Sequence, residues 1–203
     1  MGNNRVSKYP KFKYLDRQVK KDKEGVSISQ NVIIILQQGG TPITETVNCK
    51  VFYNGDVKFE GEPYVIPKEF FFNINEIEEI SDIRMTIPNS VVVIDEDAFC
   101  DCKNITSIDL PSKLRIIGKG AFSMCGANSM DLSNCKNINT LGSRVFSSCN
   151  SLIKIIFPEC IDTIPEGCCE GCKKLEYADI KNELASRHVI DHKVKQEKMT
   201  GEN

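Results

Sequence analysis

The feature that most constrains this chain is an internal repeat of about 23 residues that fills its C-terminal half. Spacings of 23, 24 and 23 residues separate the lead aliphatic residues of four copies, which are Ile94, Ile117, Leu141 and Ile164. Two further columns keep the same spacings, namely Phe99, Phe122, Phe146, Cys169 and Cys102, Cys125, Cys149, Cys172. Such a period is typical of a solenoid, in which each copy forms one coil and packs only against its neighbours.

A fifth, degenerate copy precedes these four. Ile66 and Phe71 lie 28 residues before Ile94 and Phe99, because about five residues are inserted before Pro88. Insertions in a solenoid lie in the turns and leave the strands in register. We therefore predict about five coils of 23 residues over residues 63–181.

Each copy contains a short strand, a stop and a turn. Apolar residues alternate at Ile108 and Leu110, which indicates a strand with one buried face. Pro111 ends the strand because proline has no N–H to donate to a sheet, and Gly118 is expected to allow a tight bend. The fold class predicted is an α/β repeat that is mostly β, with one curved parallel sheet along the inside of the arc.

The two flanks of the repeat are predicted to act as caps. Asn54-Gly55 separates two alternating apolar runs within residues 28–62, which is the strongest short signal for a β-hairpin. A bare solenoid end would expose apolar core and strand edges, so we predict an N-terminal hairpin cap. Over residues 182–203 we expect a helix followed by a charged tail, because Leu184, His188 and His192 share one helical face.

Charge is unevenly distributed along the chain. Residues 1–24 contain eight Lys or Arg and three Asp or Glu, although the whole chain has a net charge of −2. A basic arm over residues 1–27 can contact phosphates or acidic protein surfaces, but a solvated tail is the simpler interpretation. We expect no nucleic-acid partner, and a longest apolar run of Val32–Leu36 predicts no membrane span. No apolar leader follows Met1, so a cytoplasmic location is expected.

The ten cysteines raise the question of metal or disulfide chemistry. Cys169-x-x-Cys172, followed by His188-x-x-x-His192, comes close to the spacing of a Cys₂His₂ zinc site. However, Cys172 belongs to a repeat column whose other members have no nearby histidine, and a stack of buried thiols explains the column without metal. Thiols in neighbouring coils would be close enough for disulfides, but without a secretory leader reduced thiols are favoured. We predict no metal and no cofactor.

The repeat pattern A-F-x-x-C-x-x-L-x-x-I-x-L-P-x-x-L-x-x-I-G resembles the BspA-like, or Treponema-type, leucine-rich repeat family. Residues 94–111 and 117–125 match it best. Asn128, Cys168-Cys169 and Lys181 depart from it, and the last two departures indicate that the final coil is a terminal one. The resemblance implies a leucine-rich-repeat solenoid that binds proteins as an adhesin or scaffold, often in protists or host-associated bacteria, and implies no enzymatic activity.

The concave face of the sheet is the predicted partner-binding surface, because residues on either side of the buried strand positions face outward. They are Glu79, Arg84, Thr86, Ser107, Asp109, Ser129, Asp131, Lys154, Ile156, Tyr177 and Asp179. The face is acidic in the middle, and Ile156 and Tyr177 are candidate anchors. Two functions remain open: a non-catalytic protein-binding module, or a structural subunit of a large intracellular assembly held by its tails and solenoid surfaces.

Overall fold

The computed structural model describes residues 10–35, 40–72, 74 and 80–180, and it consists of an antiparallel sheet followed by a β solenoid. The strands of the antiparallel sheet are β1 (Lys11–Lys21), β2 (Gly25–Ile35), β3 (Ile43–Phe52) and β4 (Val57–Glu60). The solenoid strands are β5 (Val65–Ile66), β6 (Ile83–Thr86), β7 (Val93–Ile94), β8 (Ile105–Asp109), β9 (Ile116–Ile117), β10 (Ser129–Asp131), β11 (Thr140–Leu141), β12 (Lys154–Ile156) and β13 (Tyr177–Asp179).

The antiparallel sheet has strand order β1-β2-β3-β4 and closes the N-terminal end of the solenoid. Val26, Ile28 and Val32 of β2 are buried, and they alternate with more exposed residues as a one-sided sheet requires. The predicted hairpin joins β3 to β4 through Asn54 and Gly55, and Gly55 has the positive φ of 88° that favours glycine there. The expectation of an N-terminal hairpin cap is confirmed in this part.

The prediction of a basic arm over residues 1–27 is wrong for residues 11–27, which form β1 and the start of β2. Arg17 lies beside a β-bulge, and its Nε and Nη2 donate to the carbonyl oxygens of Phe70 (2.6 Å) and Phe72 (2.9 Å) in the first coil. The Tyr14 hydroxyl donates to Asp95, and burial together with that carboxylate raises the pKa of Tyr14. The lysines of β1 are exposed, whereas Tyr14 and Arg17 are half-buried and contact the solenoid. The count of charges along the sequence did not indicate these contacts.

The solenoid is mostly β, as predicted, and its described part completes about four turns. The expectation of one curved sheet is wrong, because parallel strands are hydrogen-bonded on two sides of the coils. The short strands form the ladder β11-β9-β7-β5, and the longer strands pair as β6-β8 and as β10-β12-β13. Between β8 and β10 the ladder weakens to a bond of 3.4 Å from Asn128 N to Thr106 O. This gap coincides with a slip in the copy that starts at Ile117, where Met130 and Leu132 come one residue early and Asn128 replaces an apolar residue.

A stack of phenylalanine rings fills the centre of the solenoid. Phe71, Phe99, Phe122 and Phe146 follow one another at ring-centroid distances of 4.8, 5.1 and 5.7 Å and lie within 14° of parallel. Phe59 of the cap packs edge-on against the first ring, and Phe157 packs edge-on against the last. These are favoured geometries for aromatic pairs, so the stack ties the coils to each other and to the cap.

The cysteine column has a structural role in the same core. The thiols of Cys102, Cys149 and Cys172 donate to a carbonyl oxygen in the preceding coil at 3.5, 3.0 and 2.9 Å. In each case that oxygen belongs to the phenylalanine of the ring stack. Cysteine suits the position because it is small and apolar and yet carries a weak donor.

The turns of each coil use left-handed backbone at two repeated positions. One position precedes the Ala-Phe pair, and the other precedes the column cysteine, as the non-glycine φ values of 54° at Asp97 and 56° at Met124 illustrate. Gly118 begins the predicted bend, where its carbonyl oxygen accepts from Ala121 N at 3.3 Å, but its φ is not positive. A Cβ there would lie 2.4 Å from the backbone nitrogen of Glu96, so glycine is required by the close approach of the neighbouring coil.

The ring stack should dominate the stability of the solenoid. We expect Phe122→Ala to lower the free energy of unfolding by about 3–5 kcal/mol, because it opens a cavity between two stacked rings. Phe72→Ala is the matched control, since the Phe72 side chain is 44% exposed, and it should change stability by less than about 0.5 kcal/mol. Chemical denaturation of both variants checks this, and similar losses would contradict the role of the stack.

The positive φ of residues in these turns allows a second prediction about stability. Met124→Val should destabilise the protein by about 1–2 kcal/mol, because a β-branched residue tolerates a positive φ poorly. Met124→Gly should be at least as stable as the wild type in the same thermal melts, because glycine relieves that strain. Lys119→Val is the control, because Lys119 occupies an exposed turn position without positive φ. An equal loss of stability at positions 119 and 124 would contradict a role for the positive φ.

Candidate functional site

The longer strands of the solenoid carry the predicted site on their outward side. This long-strand face consists of Arg84, Thr86, Ser107, Asp109, Ser129, Asp131, Lys154, Ile156, Tyr177 and Asp179. Strand register places Arg84 beside Ser107 and Thr86 beside Asp109, and it aligns Ser129 with Lys154 and Tyr177, and Asp131 with Ile156 and Asp179. Glu79, the remaining predicted residue, lies outside the described residues.

Hydrogen bonds order the N-terminal half of the long-strand face. The Thr86 hydroxyl donates to Asp109 at 3.1 Å across the two strands. Beside them, Asp82 accepts from the Thr106 hydroxyl and, at 2.8 Å, from the Arg84 guanidinium. These contacts, led by the Thr106 hydrogen bond, lower the pKa of Asp82. Two carboxylates and one guanidinium are therefore held in place in this half of the face.

The C-terminal half of the long-strand face carries apolar side chains among its charged ones. Ile156 and Tyr177 are half-buried on neighbouring strands, and Ile153, which directly precedes β12, is 44% exposed. We call these three residues the anchor patch. The ammonium of Lys154 lies 5.1 Å from the centroid of the Tyr177 ring, a cation–π contact that restrains the tyrosine.

Ile153 is a member of the anchor patch that strand alternation does not reveal, because it has the same parity as the buried Ile155. The strand begins only at Lys154, and the N–H groups of Ile153 and Lys154 share the carbonyl oxygen of Asn128 at 2.8 and 3.4 Å. Ile153 therefore lies outside the regular strand, where alternation does not apply, and its side chain is exposed.

A shallow groove of about 580 Å³ borders the long-strand face where strands β6 and β8 end. Thr86 and Asp109 line it from the face, and the loops after the strands contribute further polar side chains, including Asn89, Ser112, Asn134 and Lys136. Asn89 Oδ1 accepts from the backbone N–H and hydroxyl of Ser112 at 3.1 and 2.9 Å. The groove was not predicted, although a polar residue after Pro88 and Pro111 was a visible signal of exposed loops.

The long-strand face and its border carry a mixture of positive and negative charges. Asp109 and Asp131 occupy the middle, with the Asp131 carboxylate accepting from Ser133 N at 2.8 Å. Arg84 lies toward one end, and Lys154 and Asp179 lie toward the other. Polar and charged groups therefore surround the anchor patch, which is the usual composition of a protein–protein interface.

The described residues contain neither a metal-binding cluster nor a membrane-spanning helix. They include no group of three or more His, Cys, Asp or Glu side chains arranged to hold a metal ion. Both histidines of the zinc-like spacing lie outside them. They also include no helix long and apolar enough to cross a membrane.

Comparison with known proteins assigns the family. The model of the BspA type leucine rich repeat region matches residues 64–188, more than half of the chain. The chain belongs to the BspA-type leucine-rich repeat family. The match contains six copies, one more than the five predicted from the sequence. No curated protein matched the chain.

Similar solved structures are bacterial leucine-rich repeat proteins. One from Bacteroides ovatus has 18% identity and a TM-score of 0.46, covering 78% of this chain and 46% of that protein. One from T. pallidum has 21% identity and a TM-score of 0.43, covering 64% and 76%. A cell surface protein from Faecalibacterium prausnitzii has 21% identity and a TM-score of 0.47, covering 70% and 40%. This chain thus spans less than half of the Bacteroides protein.

Residues of the long-strand face should tolerate substitution. We expect Asp131→Asn and Lys154→Ala to change the free energy of unfolding by less than about 0.5 kcal/mol, because both side chains are exposed. Ile155→Ala, which alters the buried neighbour of Lys154, should cost about 2–5 kcal/mol. Urea denaturation measures all three. A loss at Asp131 or Lys154 as large as that at Ile155 would show that the face is part of the structural core.

Proposed function

We propose that this chain is a non-catalytic protein-binding module that captures a partner protein on the long-strand face. The observation that carries the proposal is the anchor patch, in which Ile153, Ile156 and Tyr177 lie exposed or half-buried within a polar and charged surround. Interfaces concentrate binding energy in such apolar and aromatic anchors, and tyrosine is over-represented among them.

The shape of the surface supports a macromolecular partner. The strands present side chains at regular intervals along an open face, and the groove beside them is shallow. Small-molecule sites, in contrast, are concave and bury most of their ligand. A folded protein or an extended segment that lies across several coils therefore fits this face better than a small substrate.

The thiols support a place for the protein within a reducing compartment. The S–H groups of Cys102 and Cys149 donate to carbonyl oxygens inside the solenoid, which fits reduced thiols. Unpaired thiols persist in the cytosol, whereas secreted proteins are oxidised. We therefore propose a cytoplasmic scaffold role in preference to that of an adhesin.

Site-specific cross-linking combined with substitution tests the proposal. A photoreactive residue at position 154 should label a discrete partner in native extract, and the same residue at exposed position 119, in the turn after β9, should not. Ile156→Ala together with Tyr177→Ala should weaken binding of that partner at least about 30-fold, since each anchor contributes about 1–2 kcal/mol. Lys119→Ala is the binding control.

The outcomes separate the functions. Labelling at position 154 that disappears in the double variant would support recognition through the long-strand face. Equal labelling at positions 119 and 154 would favour a structural subunit that is contacted on all sides in a large assembly. Binding that is unchanged in a folded double variant would reject the anchor patch.

A further inference from the structure

The last coil carries a pair of cysteines at the end of the phenylalanine stack. Cys169 takes the place that Phe146 has in the preceding coil, and Cys172 continues the cysteine column. Both are half-buried, whereas Cys102 and Cys125 of the same column are 0% and 1% exposed. The pair is therefore accessible to small reagents that the earlier thiols exclude.

The local backbone brings the two cysteines together. They flank Glu170-Gly171 in a turn in which Cys172 N donates to the Cys169 carbonyl oxygen at 3.2 Å, and Gly171 has a φ of 76°. Cys149 and Cys169 are both close enough to Cys172 to influence the ionisation of its thiol.

This arrangement makes Cys172 the most readily ionised of the three. Hydrogen bonds with Cys149 and then Cys169 lower the pKa of Cys172 to about 4. Hydrogen bonds with neighbouring thiols, together with burial, raise the pKa of Cys149 and Cys169. Burial offsets part of this lowering. A lowered pKa and partial exposure are the conditions that make a cysteine reactive.

We propose that Cys169 and Cys172 form a reversible disulfide, so that the last coil contains a peroxide-sensitive thiol pair. In the first step the Cys172 thiolate attacks the distal oxygen of a hydroperoxide. An S–O bond forms, the O–O bond breaks, and the alkoxide or hydroxide that leaves takes a proton from water. In the second step Cys169 attacks the sulfenic sulfur, and the disulfide forms with loss of water. A small dithiol reverses the reaction by exchange.

Either Cys149 or Cys169 could attack the sulfenic sulfur of Cys172, and their environments favour Cys169 as the resolving residue. Cys149 is buried, and its S–H donates to the Phe122 carbonyl oxygen at 3.0 Å, as expected for a structural member of the column. Cys169 is half-buried, and the thiols that influence its own are those of Cys168 and Cys172. A two-residue spacer in a turn also suits disulfide formation, as in other Cys-x-x-Cys pairs.

The test uses the full wild-type chain treated with hydrogen peroxide. Remaining thiols are alkylated, and the peptides are mapped by mass spectrometry. We expect a single intramolecular disulfide between Cys169 and Cys172, with loss of two hydrogen atoms, and full recovery after dithiothreitol. In Cys169→Ser, a 1,3-diketone probe should trap sulfenic acid at Cys172. Cys160→Ser, which removes an exposed cysteine of another coil, should leave the disulfide unchanged.

A kinetic measurement separates this pair from incidental oxidation. Alkylation of Cys172 by iodoacetamide should slow less than tenfold from pH 8 to pH 6, whereas an ordinary thiol of pKa about 8.5 slows roughly 80-fold over that interval. The unfolded protein provides the reference. A disulfide between Cys149 and Cys172, oxidation confined to Cys160, or alkylation of Cys172 with the ordinary pH dependence would each overturn the proposal.

Discussion

Contact between successive coils is the interaction on which the rest of this structure depends. The ring stack, the thiol-to-carbonyl hydrogen bonds and both strand ladders all join one coil to the next. The short strands contain only two residues each, too few to form a stable sheet without neighbours on either side. Each coil therefore depends on the coil before it, and the structure is stable only as a stack.

A stack of this kind leaves two ends that need different solutions. At the N-terminal end, β1–β4 cover the first coil. Phe59 packs against the ring stack, and Arg17 donates to a carbonyl oxygen of that coil. Asp56 pairs with Arg84 in a parallel β-bridge and so extends the long-strand ladder. At the other end, Phe157 turns edge-on against Phe146, and cysteine replaces the next ring.

The proposed functions lie where the repeat departs from its own pattern. The buried positions are set by packing and vary little in character, whereas the outward positions are free to differ from coil to coil. Ile156 stands where other coils have Asp109 or Asp131, and Cys169 stands where they have phenylalanine. Both departures lie in the last two coils. The anchor patch and the thiol pair therefore share the C-terminal end of the described solenoid, and Tyr177 follows Cys172 within the same coil.

The sequence by itself determined the coils, the hairpin at Asn54-Gly55 and which strand residues face outward, because period and alternation are local properties of the chain. The tertiary structure decided what depends on distant contacts. It recruited β1 into the cap through a contact between Arg17 and Phe70, 53 residues apart. It also required glycine at position 118, because the neighbouring backbone lies too close for a side chain. The exposure of Ile153 likewise depends on its pairing with Asn128 of the preceding coil, since alternation within a single copy of the repeat would bury it.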